Sequence, residues 1–186
     1  MTARTPRFWA ADLLHVWFAT LGPADWFGGS DAVDDLLRAR FGHWIEPLAG
    51  QSPASFLRDP QTALASVLLF DQLPRNLFRG TAQTFAYDPL ARAITRGALA
   101  RGHFAALATD TQRQFLAMPL MHSERIADQR LSLGIFRQLP RRSGWDFARS
   151  HYQMVARFGR FPHRNEVLGR QSTPAEEGAI AAGFSW

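Results

Sequence analysis

Near the C-terminus, Phe158-Gly159-Arg160-Phe161-Pro162-His163-Arg164-Asn165 combines two guanidiniums, an imidazole and a carboxamide with two phenyl rings. Gly159 and Pro162 forbid a continuous helix there, so the run is expected as a rigid turn leaving a helix. Such a turn aims Arg160, His163, Arg164 and Asn165 at one place instead of spreading them around a helical surface. Planar guanidinium forks suit carboxylates and phosphates, so the implied chemistry is recognition of an anion. A second stretch, Leu73-Pro74-Arg75-Asn76, echoes the first, again with an Arg-Asn pair just past a proline. Arg79 and Gly80 extend it, as Gly169 and Arg170 extend the C-terminal turn. Two such turns could share one cationic pocket, or each could cap helix-end carbonyls and tie its loop to the core.

Proton-moving and orienting groups stand in Met121-His122-Ser123-Glu124 and Asp128-Gln129. Glu124 and Asp128 are four apart, on one helix face, and near a helix N-terminus both carboxylates are favoured as anions. They are expected to pair with Arg160 or Arg164. His122 stands just outside the cap, where an imidazole can serve as acid or base. His151 lies seven residues before Phe158, two helical turns up and on the same side. The candidate set is therefore His122, His163 and Glu124 for proton transfer. Arg75, Asn76, Arg79, Asp128, His151, Arg160, Arg164, Asn165 and Arg170 would contact the ligand. His122, Glu124, His151 and His163 include donors that suit zinc or iron, but they lack His-x-x-x-His or His-Glu-x-x-His spacing, and no metal is assigned. A Gly-x-Ser-x-Gly elbow and a glycine-rich phosphate loop are also absent, and nothing names a cofactor.

The elements that must carry these residues read as helices. Thr5-Pro6 starts one that reaches about Thr20 with Phe8, Trp9, Leu13, Val16 and Trp17 on its apolar face. A loop holding Trp26-Phe27 follows. Ser30 caps a helix in which Val33, Leu37, Phe41, Trp44 and Leu48 recur at helical spacing. Asp59-Pro60 opens a third, apolar nearly all round and hence central, which is expected to break at Leu73-Asn76. Further starts are read at Asp88-Pro89, at Asp110 (with Pro119 as a stop or kink), at Ser123 for a helix reaching Leu139, and at Ser143. The last is the capping box Thr173-Pro174-Ala175-Glu176. With about eight helices and no alternating strand pattern, the fold class is all-α.

Composition bounds the rest. The 186 residues, 46% hydrophobic and 20% charged, fit a single helical domain spanning 1–186. Without cysteine, disulfides and thiolate chemistry are excluded, and a cytoplasmic location is expected. All 21 basic residues are arginines, which removes Schiff-base lysine chemistry and explains a pI near 11.1 at a net charge of only +5. The apolar run from Ala10 to Leu21 is interrupted by Asp12 and His15 and falls short of the roughly 20 residues of a membrane span. No secretory signal is read at the N-terminus, and no membrane partner is expected.

Several runs resemble an uncharacterised, mostly bacterial family catalogued as domain of unknown function 924. They are Leu69 through Thr81, Ala86-Tyr87-Asp88-Pro89-Leu90-Ala91, Phe115 through Glu124 with Asp128-Gln129, and Arg157 through Asn165 continuing to Leu168-Gly169-Arg170, Ser172-Thr173 and Glu176. Order and spacing agree along nearly the whole domain, including Trp26-Phe27. Tyr87 and Pro89 depart mildly from the family pattern. The resemblance implies a helical fold similar to tetratricopeptide-type arrays and brings no established activity.

Two functions follow as expectations. One is a small-molecule site, in a binding protein or an enzyme, for an anionic metabolite or nucleotide. The other is a helical-array scaffold that takes a peptide or partner protein in its groove. Nucleic acid fits poorly, because the arginines are dispersed and interleaved with acids.

Overall fold

The computed structural model describes residues 8–140 and 144–183. Among these the chain is all-α, with helices, short 3-10 turns and no strand. It divides into two compact units: residues up to Arg79 with Gln83–Leu107, and Gly80–Ala82 with the described residues from Ala108 onward.

In the first unit α1, Phe8–His15, runs into a wide π-turn at Val16–Thr20, closed by the Leu21 amide donating to the Val16 carbonyl at 2.9 Å. Leu13, Val16 and Trp17 are buried as expected, but Phe8 is 83% exposed. Trp26-Phe27 belongs to a short helix, α2 (Pro23–Gly28), and not to a loop. The Gly22 amide donates to Asp25 Oδ2 and the Trp26 indole to the Trp17 carbonyl, which is enough to wind one turn there. Along α3, Asp31–Ala49, the buried face is Val33, Leu37, Phe41, Ile45 and Leu48; Ile45, four residues after Phe41, takes the place expected for Trp44.

Asp59 caps α4, Pro60–Val67, by accepting from the Thr62 amide at 2.8 Å. This helix packs on α1 and on α6, Asp88–Ala100. Every residue from Thr62 to Pro74 is buried, which makes this segment central. The expected break at Leu73-Asn76 does not occur. A π-turn, Leu68–Gln72, precedes α5, Leu73–Leu77, and the chain stays helical past Pro74. The reason is local: proline lacks an amide and crowds the carbonyl four residues back. The Leu73 amide reaches the Leu68 carbonyl five residues back, so the widened ladder admits the ring in the first turn of α5. Arg75, Asn76 and Arg79 thus stand on or just past a helix. After α6 the unit closes with α7, His103–Ala106. The Thr5 helix start lies outside the described residues.

In the second unit α8, Asp110–Met121, begins at the cap Thr109 and contains Pro119, two residues before its end. α9 spans Ile126–Phe136 and packs against both α8 and α10, Trp145–Phe158. It starts later than expected because Ser123 is not its cap: the Ser123 hydroxyl accepts from the Arg125 amide and donates to Asp128. It also ends at Phe136, short of Leu139. Ser143 lies outside the described residues. Gly159, at φ 72, ends α10 in the left-handed region that glycine enters without strain, and Pro162–Arg164 forms a single 3-10 turn. The Thr173–Glu176 capping box opens α11, Pro174–Ala181.

Candidate functional site

The second unit gathers most of the expected site residues around one phenyl ring. Phe161 is fully buried in the turn after α10. The His151 ring stands 5.3 Å from it, edge-on, and the His163 ring 5.7 Å away. His122 adds a third imidazole, 6.1 Å from His151. The Arg164 guanidinium lies over the Phe161 face at 4.6 Å and donates to the His122 carbonyl at 3.0 Å. His122, His151 and Arg164 are buried, at 8%, 5% and 6% exposure, whereas His163 is part-exposed and forms the solvent-side member.

Each side chain is delivered by a definable piece of backbone. His122 terminates α8, its amide donating to the Met118 carbonyl. Gln129, wholly buried on α9, donates to the carbonyls of Met121 and Ser123 and so pins both neighbours of His122. His151 comes from α10, with Nδ1 2.8 Å from the Phe147 carbonyl. A carbonyl only accepts, so Nδ1 carries the proton in this contact. Gly159 turns the chain, and the 3-10 turn then presents His163 and Arg164 from consecutive positions.

The turn is itself held by acids. Glu124 accepts two hydrogen bonds from Arg170, at 2.8 and 2.9 Å, and one from the Phe161 amide at 2.8 Å. Arg170 also donates to the Phe161 carbonyl, so the pair clamps both polar groups of that residue. Arg160 turns toward α11 and forms a fork on Glu176 at 2.6 and 2.9 Å. Within the expected pairing of Glu124 or Asp128 with Arg160 or Arg164, the match of Glu124 with Arg160 is corrected: Glu124 takes Arg170, and Arg160 takes the buried capping-box glutamate. The Asn165 side-chain amide donates to the Ser172 hydroxyl, and the Asn165 main-chain carbonyl accepts from the Arg170 main-chain amide. Asp128, 1% exposed, accepts from Ser123 at 2.8 Å. Among the described residues, Gln129 Oε1, Asn165 Oδ1 and Arg170 Nε are buried with no hydrogen-bond partner.

The electrostatics favour neutral imidazoles and ionised acids. Burial, then the charges of His122 and Arg164, push His151 down to about 2, against a hydrogen bond to Phe147. His163 falls to about 4, through burial first and then Arg164, with Glu124 opposing. For Glu124 burial works upward, but the hydrogen bonds from Arg170 and Phe161 and the charges of Arg170 and Arg164 outweigh it and hold the carboxyl below its ordinary value. Glu176 is drawn down to about 2 by Arg160 and by its capping contacts with Thr173.

Arg75, Asn76 and Arg79 lie in the first unit and have acidic partners there. Arg75 bridges Asp88, at 2.9 and 3.1 Å, to the buried Asp71 and lies 5.7 Å from the Phe85 ring. Asn76 and Arg79 both bind Asp34 of α3. Among the described residues, no group of three or more His, Asp or Glu side chains is placed to hold a metal ion, and no helix is long and apolar enough to cross a membrane. Sequence reasoning did not assign Glu176 to the Arg160 turn, because its capping box explained it locally. Nor did it identify Phe161 as the centre, since a phenylalanine carries no polar signal.

A family model described as a bacterial protein of unknown function, DUF924, matches residues 13–183. A solved structure is also similar, that of a protein of unknown function, ATU0120, from Agrobacterium tumefaciens. It shares 38% identity at a TM-score of 0.87, over 94% of this chain and 97% of that one. No curated protein matches.

Proposed function

The chain belongs to DUF924, a bacterial family of unknown function, and we propose that it binds a small oxyanionic metabolite in its second unit, at His122, His151, His163 and Arg164. The observation that carries this reading is the convergence of two imidazoles and one guanidinium on the ring of Phe161, with the imidazole of His122 beside that of His151. Burying such groups costs free energy that hydrophobic packing would not, and a buried ion pair often fails to repay its desolvation. A chain with 15 phenylalanines could fill the space more cheaply.

In this reading Arg164 supplies the fixed charge and His163, on the solvent side, meets the ligand first. His151, held neutral by burial, and His122 offer hydrogen bonds and a place for a proton. Glu124, Arg170, Arg160 and Glu176 are positioning residues that hold the turn, and Arg75, Asn76 and Arg79 tie α5 to α3 and α6. Thermal unfolding against sulfate, phosphate and small carboxylates tests the reading. At least one anion should raise the midpoint of the wild type, and Arg164→Gln should abolish that rise. Should Arg164→Gln not fold, His163→Gln takes its place and is expected to weaken the rise. An absence of stabilisation by every anion at every pH from 5.5 to 7.5 overturns it.

A further inference from the structure

We infer that this site takes up its anion together with a proton, carried by His163, so that ligand affinity rises as the solution is acidified. The inference rests on the anion-binding reading above and adds its regulation. Several charged and titratable groups surround His163. The end of α8 contributes His122 and the following linker Glu124. α10 contributes His151, and the turn and its extension contribute Arg164 and Arg170. Arg164 is adjacent in sequence and shares the Phe161 ring with His163, at 4.6 and 5.7 Å. Glu124 is already committed to Arg170 and to the Phe161 amide.

A proton added to His163 in the empty site places a second positive charge beside Arg164 in a partly desolvated setting. The ring accordingly stays neutral at pH 7, with its protonation displaced to about 4. An anion seated against Arg164 reverses that field. An opposite charge within hydrogen-bonding range raises an imidazole by about 1–3 pK units, which returns His163 to the range between roughly pH 5 and 7. Linkage makes the effect reciprocal: if the anion favours the proton, the proton favours the anion by the same factor. One full proton corresponds to about tenfold in affinity per pH unit. His163 is the fitting carrier because it is part-exposed, whereas His151 is 5% exposed and lies further down.

Sulfate is the suitable probe, since it remains a dianion throughout this range and any pH dependence must come from the protein. Calorimetric titration with sulfate, in buffers of different ionisation enthalpy, counts the protons taken up. The expected result is between zero and one proton bound per sulfate, with affinity rising several-fold from pH 7.5 to 5.5. His163→Gln should bind sulfate more weakly, with no proton uptake and a flat pH profile. Sulfate binding with no proton exchange, or an unchanged proton count in His163→Gln, overturns this inference and leaves the anion site standing. No sulfate binding at any pH overturns both. If His163→Gln does not fold, the wild-type proton count decides alone.

Discussion

Arg164 carries a charge at 6% exposure, and its surroundings show how that is tolerated. The guanidinium face rests on Phe161 while one amino group bonds the His122 carbonyl, so desolvation is offset by ring and carbonyl contacts. Phe161 in turn depends on Glu124 and Arg170, whose side chains are 27% and 24% exposed and joined by two parallel hydrogen bonds. Forked pairs of this kind exceed ordinary surface pairs because both oxygens are engaged and water is largely shut out. A double-mutant cycle with Glu124→Gln and Arg170→Gln should therefore give a coupling of about 1–3 kcal/mol, measured by urea denaturation. A coupling near zero would mean that the clamp on Phe161 contributes nothing to folding.

At the scale of elements, the segment from α4 through the π-turn to α5 organises the first unit. Leu68 is wholly buried at the start of that π-turn, and its carbonyl accepts the five-residue bond that accommodates Pro74. Leu68→Ala should cost about 2–5 kcal/mol in denaturation experiments, the range for a buried leucine whose cavity does not collapse. A loss well under 1 kcal/mol would contradict the central place of this helix. α6 offers a test of the opposite sign of volume. A Cβ built at Gly97 would stand 2.2 Å from Leu57 Cδ1, and Leu57 is 6% exposed. Gly97→Ala gains helix propensity of about 1 kcal/mol but forces a buried leucine out of its well, at about 1–3 kcal/mol. A net loss of stability is expected, and the pair Gly97→Ala with Leu57→Val should recover part of it.

For the whole molecule the histidines set the response to acid. His151 and His163 protonate at about 2 and 4 when folded, against 6.5 when free. The unfolded chain therefore binds more protons below pH 6.5, and stability must fall as pH falls. Both residues contribute to the slope down to about pH 4, and His151 alone below that. Glu176, at about 2 when folded, adds stability that is present above 4.5 and lost toward 2. Urea midpoints should thus decline steadily from pH 7 to pH 4, and His163→Gln should flatten part of that decline. A midpoint independent of pH over this interval would show that these imidazoles take up protons equally in the folded and unfolded chain.

Local signals in the sequence determined the helical class, several helix starts and the turn after α10. Asp59-Pro60 and the Thr173–Glu176 box act through backbone amides within three residues, and the turn needs only Gly159 and Pro162. Burial of Thr62 through Pro74 was legible too, because an all-round apolar helix has no side to offer water. Its passage through Pro74 was not, since a proline warns of a break while the π-turn that absorbs it leaves no mark in composition. The residue types of the site were equally plain, but their partners were not. Glu124 chose Arg170, 46 positions away, and left Arg160 to Glu176. Arginine and glutamate carry the same attraction wherever they stand, and only the packing of α8, α9 and α10 around Phe161 decided which of them meet.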